Sequence, residues 1–279
     1  MPYTAEISRT NPSCFLFLID QSLSMSDPFG NSDSGTSKAD ETAAAINRLL
    51  SELIIKCAKD EEIRRYFQVG VIGYGASVGP ALGGELSGRD LVWIDEVWAN
   101  PARVEERVKK VSDGAGGLVE TTVKFPVWFD PVASDGTPMT TAFVLAHSIL
   151  QNWIAQHPSA FPPIVINITD GESTDGDPSQ SAKAIQALST SDGNLLVFNV
   201  HLSSTRAAPI AFPHDPDSLP DQYARLLFDM SSQLPEFIRE TACQYGYAPA
   251  ANSRGFVFNA GIEDLISFLV IGTQARNLR

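Results

Sequence analysis

The sequence predicts an α/β domain: an open, mostly parallel twisted sheet of about six strands with helices on both faces. Three observations predict it. Apolar runs of strand length recur without alternation, as in SCFLFLID, PPIVINIT and LLVFNVHL. Such runs suit strands covered on both faces. Stretches with apolar residues at helical spacing separate them, and strand-to-helix alternation implies right-handed parallel crossovers.

Taken in order, Ser13 to Asp20 is the first strand, a continuous apolar run ending in an acid. After a loop rich in Ser, Asp and Gly, residues Ala43, Ile46, Leu50, Leu53, Ile54 and Cys57 repeat at helical spacing. They predict a helix from about Lys38 to Lys59. Phe67 to Tyr74 reads as the second strand and Leu91 to Ile94 as a short third. Pro101 to Val111 reads as a helix, with Pro in its first turn. The pattern then breaks, and about 112–136 is expected to be an irregular insertion carrying DGAGG, with a hairpin as one form it could take.

Thr140 to Gln156 is expected to be helical, Pro162 to Thr169 a fourth strand, Ala182 to Leu188 a helix and Leu195 to Leu202 a fifth strand. A Pro-rich loop follows over about 203–220. Asp221 to Tyr245 is helical with a break near Pro235, Gly255 to Asn259 is the sixth strand, and a helix from Gly261 to about Gln274 closes the chain. No internal repeat or linker divides residues 1–279, so one domain is expected.

The 279 residues carry a formal net charge of −13, with a sequence pI near 4.7. Nucleic-acid binding rests on cationic side chains neutralising phosphates, so this balance argues against a nucleic-acid partner. Three cysteines, Cys14, Cys57 and Cys243, are odd in number and show no CxxC spacing, which suggests neither a disulfide framework nor a zinc knuckle. No apolar run reaches the ~18 residues of a membrane span, and no basic start precedes an apolar stretch. A cytoplasmic protein without membrane contact is the expectation.

Ligands of open α/β sheets bind beyond the carboxyl ends of the strands. Asp20-Gln21-Ser22-Leu23-Ser24 follows the first strand, Thr169-Asp170-Gly171 ends the fourth, and Gly136-Thr137-Pro138 precedes a helix. Asp20, Ser22, Ser24, Thr137 and Asp170 would form an all-oxygen set of two carboxylates and three hydroxyls. That chemistry suits a hard cation, Mg²⁺ first with Mn²⁺ as substitute, and does not suit zinc.

This pattern, DxSxS after the first strand, Thr in a G-T-P loop and T-D-G after the fourth, resembles the metal-ion-dependent adhesion site of the von Willebrand factor type A family. The resemblance covers nearly the whole chain and implies that family's Rossmann-like fold. It implies that Ser22, Ser24 and Thr137 supply hydroxyl ligands, with Asp20 and Asp170 binding directly or through water. Leu23 departs from the Gly usual between the two serines and removes no ligand.

The resemblance further implies a protein partner that offers an acidic side chain to the metal, no catalysis, and likeness to bacterial cytosolic members in signalling or stress-response complexes. Oligomeric state is not readable. A second reading is a Mg²⁺-dependent phosphohydrolase acting on a small phosphorylated substrate. It is disfavoured because the DxDx(T/V) pattern of haloacid-dehalogenase-like enzymes needs an acid where Ser22 stands.

Gly75-Ala76-Ser77-Val78-Gly79 fits GxSxG after a strand, but Pro80, Gly83 and Gly84 follow where a nucleophile elbow needs a helix, so Ser77 reads as a loop residue. Trp128 and its apolar neighbours are either packing residues or an exposed patch beside Thr137. Asp27, Asp33, Asp135, Glu172, Asp175 and Asp177 are expected to make the rim of the site acidic.

Overall fold

The computed structural model of the protein describes residues 3–30, 35–112, 118–204 and 208–273. In chain order the elements are β1 (Ser13–Asp20), α1 (Lys38–Cys57), β2 (Phe67–Tyr74), β3 (Val78–Pro80), β4 (Val92–Trp93) and α2 (Ile94–Ala99). Next come β5 (Arg103–Ser112), β6 (Leu118–Val127), α3 (Met139–Gln156), β7 (Ile164–Thr169), α4 (Ser179–Ala187) and β8 (Leu196–His201). The last are β9 (Ile210–Ala211), α5 (Gln222–Asp229), α6 (Glu236–Gln244), β10 (Phe256–Phe258) and α7 (Ile262–Gly272).

The main sheet has the order β9-β10-β8-β7-β1-β2-β3, with β4 also paired to β2. Its pairs β1/β2, β1/β7, β7/β8 and β8/β10 are parallel, and the short edge strands β3, β4 and β9 run antiparallel. The α/β fold with a mostly parallel sheet is therefore as expected. Alternate residues of β1 feed two separate cores. Phe15, Phe17 and Ile19 pack with α1 and α7, whereas Cys14, Leu16 and Leu18 pack with α3, α4 and α5. That two-sided burial is why the strand sequence is apolar without alternation.

The chain leaves β1 toward β2 on one side and returns through β7 on the other. The strand order thus reverses beside β1, and this switch point leaves a crevice at the carboxyl ends of β1 and β7.

The segment expected to be a helix over Pro101 to Val111 is instead strand β5. It pairs antiparallel with β6 from Arg103↔Val127 to Ser112↔Leu118, so much of the expected irregular insertion is an ordered ribbon. Val104 and Val108, four apart, satisfy helical spacing as well as strand spacing. The partner that decides between them lies in β6, beyond any local window. Opposite charges face each other at Glu106↔Lys124, and the Arg107 guanidinium lies 3.6 Å from the Phe125 ring centre.

Val108 and Val123, on opposite faces of this ribbon, are both exposed, so it stands off the core. DGAGG, at 113–117, lies outside the described residues, as do Asp33, residues 205–207 and Gln274.

Ser77 lies in the turn between β2 and β3, whose register sets Tyr74 opposite Val78. GxSxG thus spans a hairpin turn and the start of an antiparallel strand, not a strand-to-helix elbow. Trp128 is buried, its ring N–H donating to the Val97 carbonyl at 2.5 Å, so the alternative of an exposed patch at Trp128 is excluded. Cys14, Cys57 and Cys243 are free thiols. Among the described residues no helix is long and apolar enough to cross a membrane.

Candidate metal centre

Asp20, the last residue of β1, is buried with both carboxylate oxygens engaged. Oδ1 accepts from the Ser22 backbone N–H at 2.8 Å, and Oδ2 accepts from the Thr169 hydroxyl at 2.6 Å. The first bond curls the chain into a turn that aims Ser22 and Ser24 the same way. Their hydroxyls are 3.0 Å apart, and Ser24 donates to Asp170 Oδ1 at 2.8 Å. A hydrogen-bonded circuit therefore joins Asp20, Ser22, Ser24 and Asp170 across the crevice.

Thr137 reaches the crevice from the other side, in the loop before α3. The Leu23 N–H donates to the Asp135 carbonyl at 2.9 Å, and the Ser134 N–H donates to the Gln21 carbonyl at 2.7 Å. These bonds staple the Thr137 loop to the DxSxS loop. The Thr137 backbone is anchored in turn on Thr174, its N–H donating to the Thr174 hydroxyl and its carbonyl accepting from the Thr174 N–H, both at 2.9 Å. Thr137 is buried, but no hydrogen bond ties its hydroxyl to the other four residues. The structure gathers those four into one network and brings Thr137 alongside by its backbone.

Desolvation raises the Asp20 carboxyl to about 6, and the nearby Asp170 charge adds to the rise against the hydrogen bonds from Ser22 and Thr169. Two buried carboxylates this close call for a cation. The structure supplies one that the sequence reading missed. Lys38, the first residue of α1, is only 4% exposed, and its Nζ lies 2.5 Å from Asp170 Oδ2 and 3.7 Å from Asp27 Oδ2.

His201 is in register with Thr169. It stacks on Phe258, its Nδ1 is buried without a partner, and burial lowers it to about 4. A local signal for Lys38 exists in Ser37-Lys38-Ala39-Asp40, a capping box that fixes where the helix starts. The Lys38–Asp170 contact spans 132 positions and has none.

Two of the expected rim acids, both exposed, also have structural partners. Asp175 caps α3, accepting from the Thr140 and Thr141 N–H groups at 2.9 and 2.8 Å. Burial opposes its ionisation, yet those bonds together with the Thr141 and Ser173 hydroxyls hold its pKa below the usual value. Asp177 accepts from the Ser179 N–H at 2.9 Å at the start of α4. Both cap helices and remain exposed. Leu23 is 63% exposed and Ser24 is exposed, so the centre opens to solvent on the DxSxS side.

Among the described residues no group of three or more His, Cys, Asp and Glu is placed to hold a metal. A metal here would rely on hydroxyl donors, and the chemistry of this set, two carboxylates with Ser and Thr oxygens, fits a hard divalent ion.

No protein-family model matches the chain, and no curated protein matches it significantly. Among solved structures it is similar to the manganese-loaded TRAP protein of Plasmodium vivax, at 14% identity over 74% of this chain and 62% of that one, with a TM-score of 0.37. It is also similar to the ArnB paralog VWA2 from Sulfolobus acidocaldarius, at 13% identity over 70% and 36%, TM-score 0.36. A third is the vWF domain of the type V pili tip protein Mfa5 from Porphyromonas gingivalis, at 12% identity over 58% and 39%, TM-score 0.32. The matched part is under two thirds of each of those chains.

Proposed function

We propose that this protein is a metal-dependent interaction module of the von Willebrand factor type A kind, not an enzyme, which binds an acidic side chain of a protein partner through Mg²⁺. Asp20, Ser22, Ser24, Thr137 and Asp170 would hold the ion, with Mn²⁺ as a substitute. The observation that carries the reading is the circuit joining Asp20, Ser22, Ser24 and Asp170 at the switch point, open to solvent beside Ser24. Bound metal would supply a positive centre only partly neutralised by two carboxylates and neutral hydroxyls, which a partner carboxylate can complete. This chain's residues position that centre: Asp20 orients the turn, Thr169 holds Asp20, and exposed Leu23 offers an apolar contact beside it.

The reading extends to a cytoplasmic protein in a bacterial signalling or stress-response complex, in keeping with the family resemblance and free cysteines.

Calorimetric titration with MgCl₂ and MnCl₂ tests the metal. Binding is expected in the wild type, weakened about tenfold or more by Ser22→Ala or Thr137→Val, each of which removes one donor without stranding a charge. No binding at millimolar metal by the wild type or by a variant lacking the Lys38 charge would reduce the cluster to scaffold. Asp170→Ala is a poor probe because it also removes the nearer, buried carboxylate partner of the Lys38 ammonium, so a loss of binding would mix the site with the fold. Metal-dependent turnover of phosphate esters abolished by Asp20→Ala would replace the interaction reading with the hydrolase.

A further inference from the structure

We infer that Lys38 is a tethered cation that holds the metal centre in its metal-free state and competes with the divalent ion for Asp170. The inference rests on the metal-binding reading above. It starts from a residue whose position is costly. Lysine is almost never fully buried unless paired, and the first turn of a helix, where backbone N–H groups point outward, disfavours positive charge. Lys38 is buried at that position in α1, and the capping box of Ser37 and Asp40 leaves the helix no freedom to start elsewhere. What offsets the cost is Asp170, whose side chain is 1% exposed.

Each Asp170 oxygen is occupied, Oδ1 by the Ser24 hydroxyl and Oδ2 by the Lys38 ammonium. An ion binding to Asp170 would meet a like charge within contact distance, and that repulsion in a largely buried site is strong. The ammonium therefore must leave for the ion to enter.

The structure also contains the place to which it leaves. Asp27 lies 3.7 Å from the same Nζ, its side chain is 59% exposed, and its backbone carbonyl accepts the Lys38 N–H at 3.0 Å. The base of Lys38 is thus held while its flexible stem spans two carboxylates, one buried and one at the surface. Asp170 with lysine bound is a closed, charge-compensated centre; Asp170 released to metal leaves lysine on Asp27 at the rim. There the ammonium would lie close to an incoming partner carboxylate and favour it.

The test compares Mn²⁺ and Mg²⁺ affinity of the wild type and Lys38→Met by calorimetry, with chelator-treated protein as the start. Lys38→Met is expected to bind at least about tenfold more tightly, since a competing charge is removed. The metal-free variant should have the lower Tm of the two proteins, and added metal should restore it. Should Lys38→Met fail to fold, Lys38→Gln takes its place.

An independent readout uses the wild type alone at metal concentrations that saturate it: reductive methylation followed by peptide mass spectrometry. Lys38 should be protected without metal and become reactive with it. Equal affinities in the two proteins, or protection of Lys38 unchanged at saturation, overturn the inference and leave the metal reading standing. Absence of binding in every variant overturns both.

Discussion

At the scale of single residues, the environment of each titratable group matters more than its identity. His201 is an ordinary imidazole in sequence, but burial lowers it from 6.5 to about 4, against the pull of Asp221 and Asp170. The folded state then binds fewer protons than the unfolded state between those values. The stability due to neutral His201 is fully present above pH 6.5 and is lost as pH falls toward 4, by about 2 kcal/mol at pH 5 relative to pH 7. His201→Phe, which keeps the ring against Phe258, should remove that share of the acid sensitivity in urea unfolding at the two pH values. Equal pH dependence in both proteins would show that the imidazole is not the group responsible.

At the scale of elements, the base of the β5–β6 ribbon is tied to α1 by one side chain. Asn47 Oδ1 accepts the N–H groups of Trp128 and Phe129 at 2.8 and 3.1 Å, and Nδ2 donates to the Phe129 and Ala43 carbonyls at 2.7 and 2.8 Å. All of these atoms are buried. A two-stranded ribbon is marginal alone, so its attachment needs such a clamp. Asn47→Leu keeps the volume but strands two buried N–H groups, and should destabilise the protein by about 2 kcal/mol or more in denaturant titration. A change within about 0.5 kcal/mol would mean that the ribbon is held by packing alone. Pro101, read as the first turn of a helix, is misleading here, since β5 is decided by its partner β6.

At the scale of the whole molecule, the candidate site is assembled because loops from β1, β2 and the approach to α3 close on one another without room to spare. A Cβ on Gly75 would lie 2.6 Å from the Gln21 carbonyl oxygen and 2.9 Å from that of Ser134, the pair whose backbone bond joins the two ligand-bearing loops. Gly75→Ala should therefore push those loops apart, lowering Tm and weakening Mn²⁺ binding. Gly79→Ala, whose Cβ meets nothing within 4 Å, serves as the control. Retention of wild-type metal affinity by Gly75→Ala would mean that Thr137 is not needed at the ion.

The sequence by itself determined the parallel sheet, because strands covered on both faces must be apolar throughout, as Ser13–Asp20 and Ile164–Thr169 are. It also placed the candidate oxygens, since DxSxS and T-D-G sit directly at strand ends. Only the tertiary structure decided what surrounds them. The Lys38 ammonium on Asp170, the buried His201 Nδ1 without a hydrogen bond and the commitment of Asp175 to capping α3 all depend on residues distant in the chain. Burial and pairing across the crevice set the surroundings of these side chains. Those are properties of the folded neighbourhood, and no local spacing encodes them.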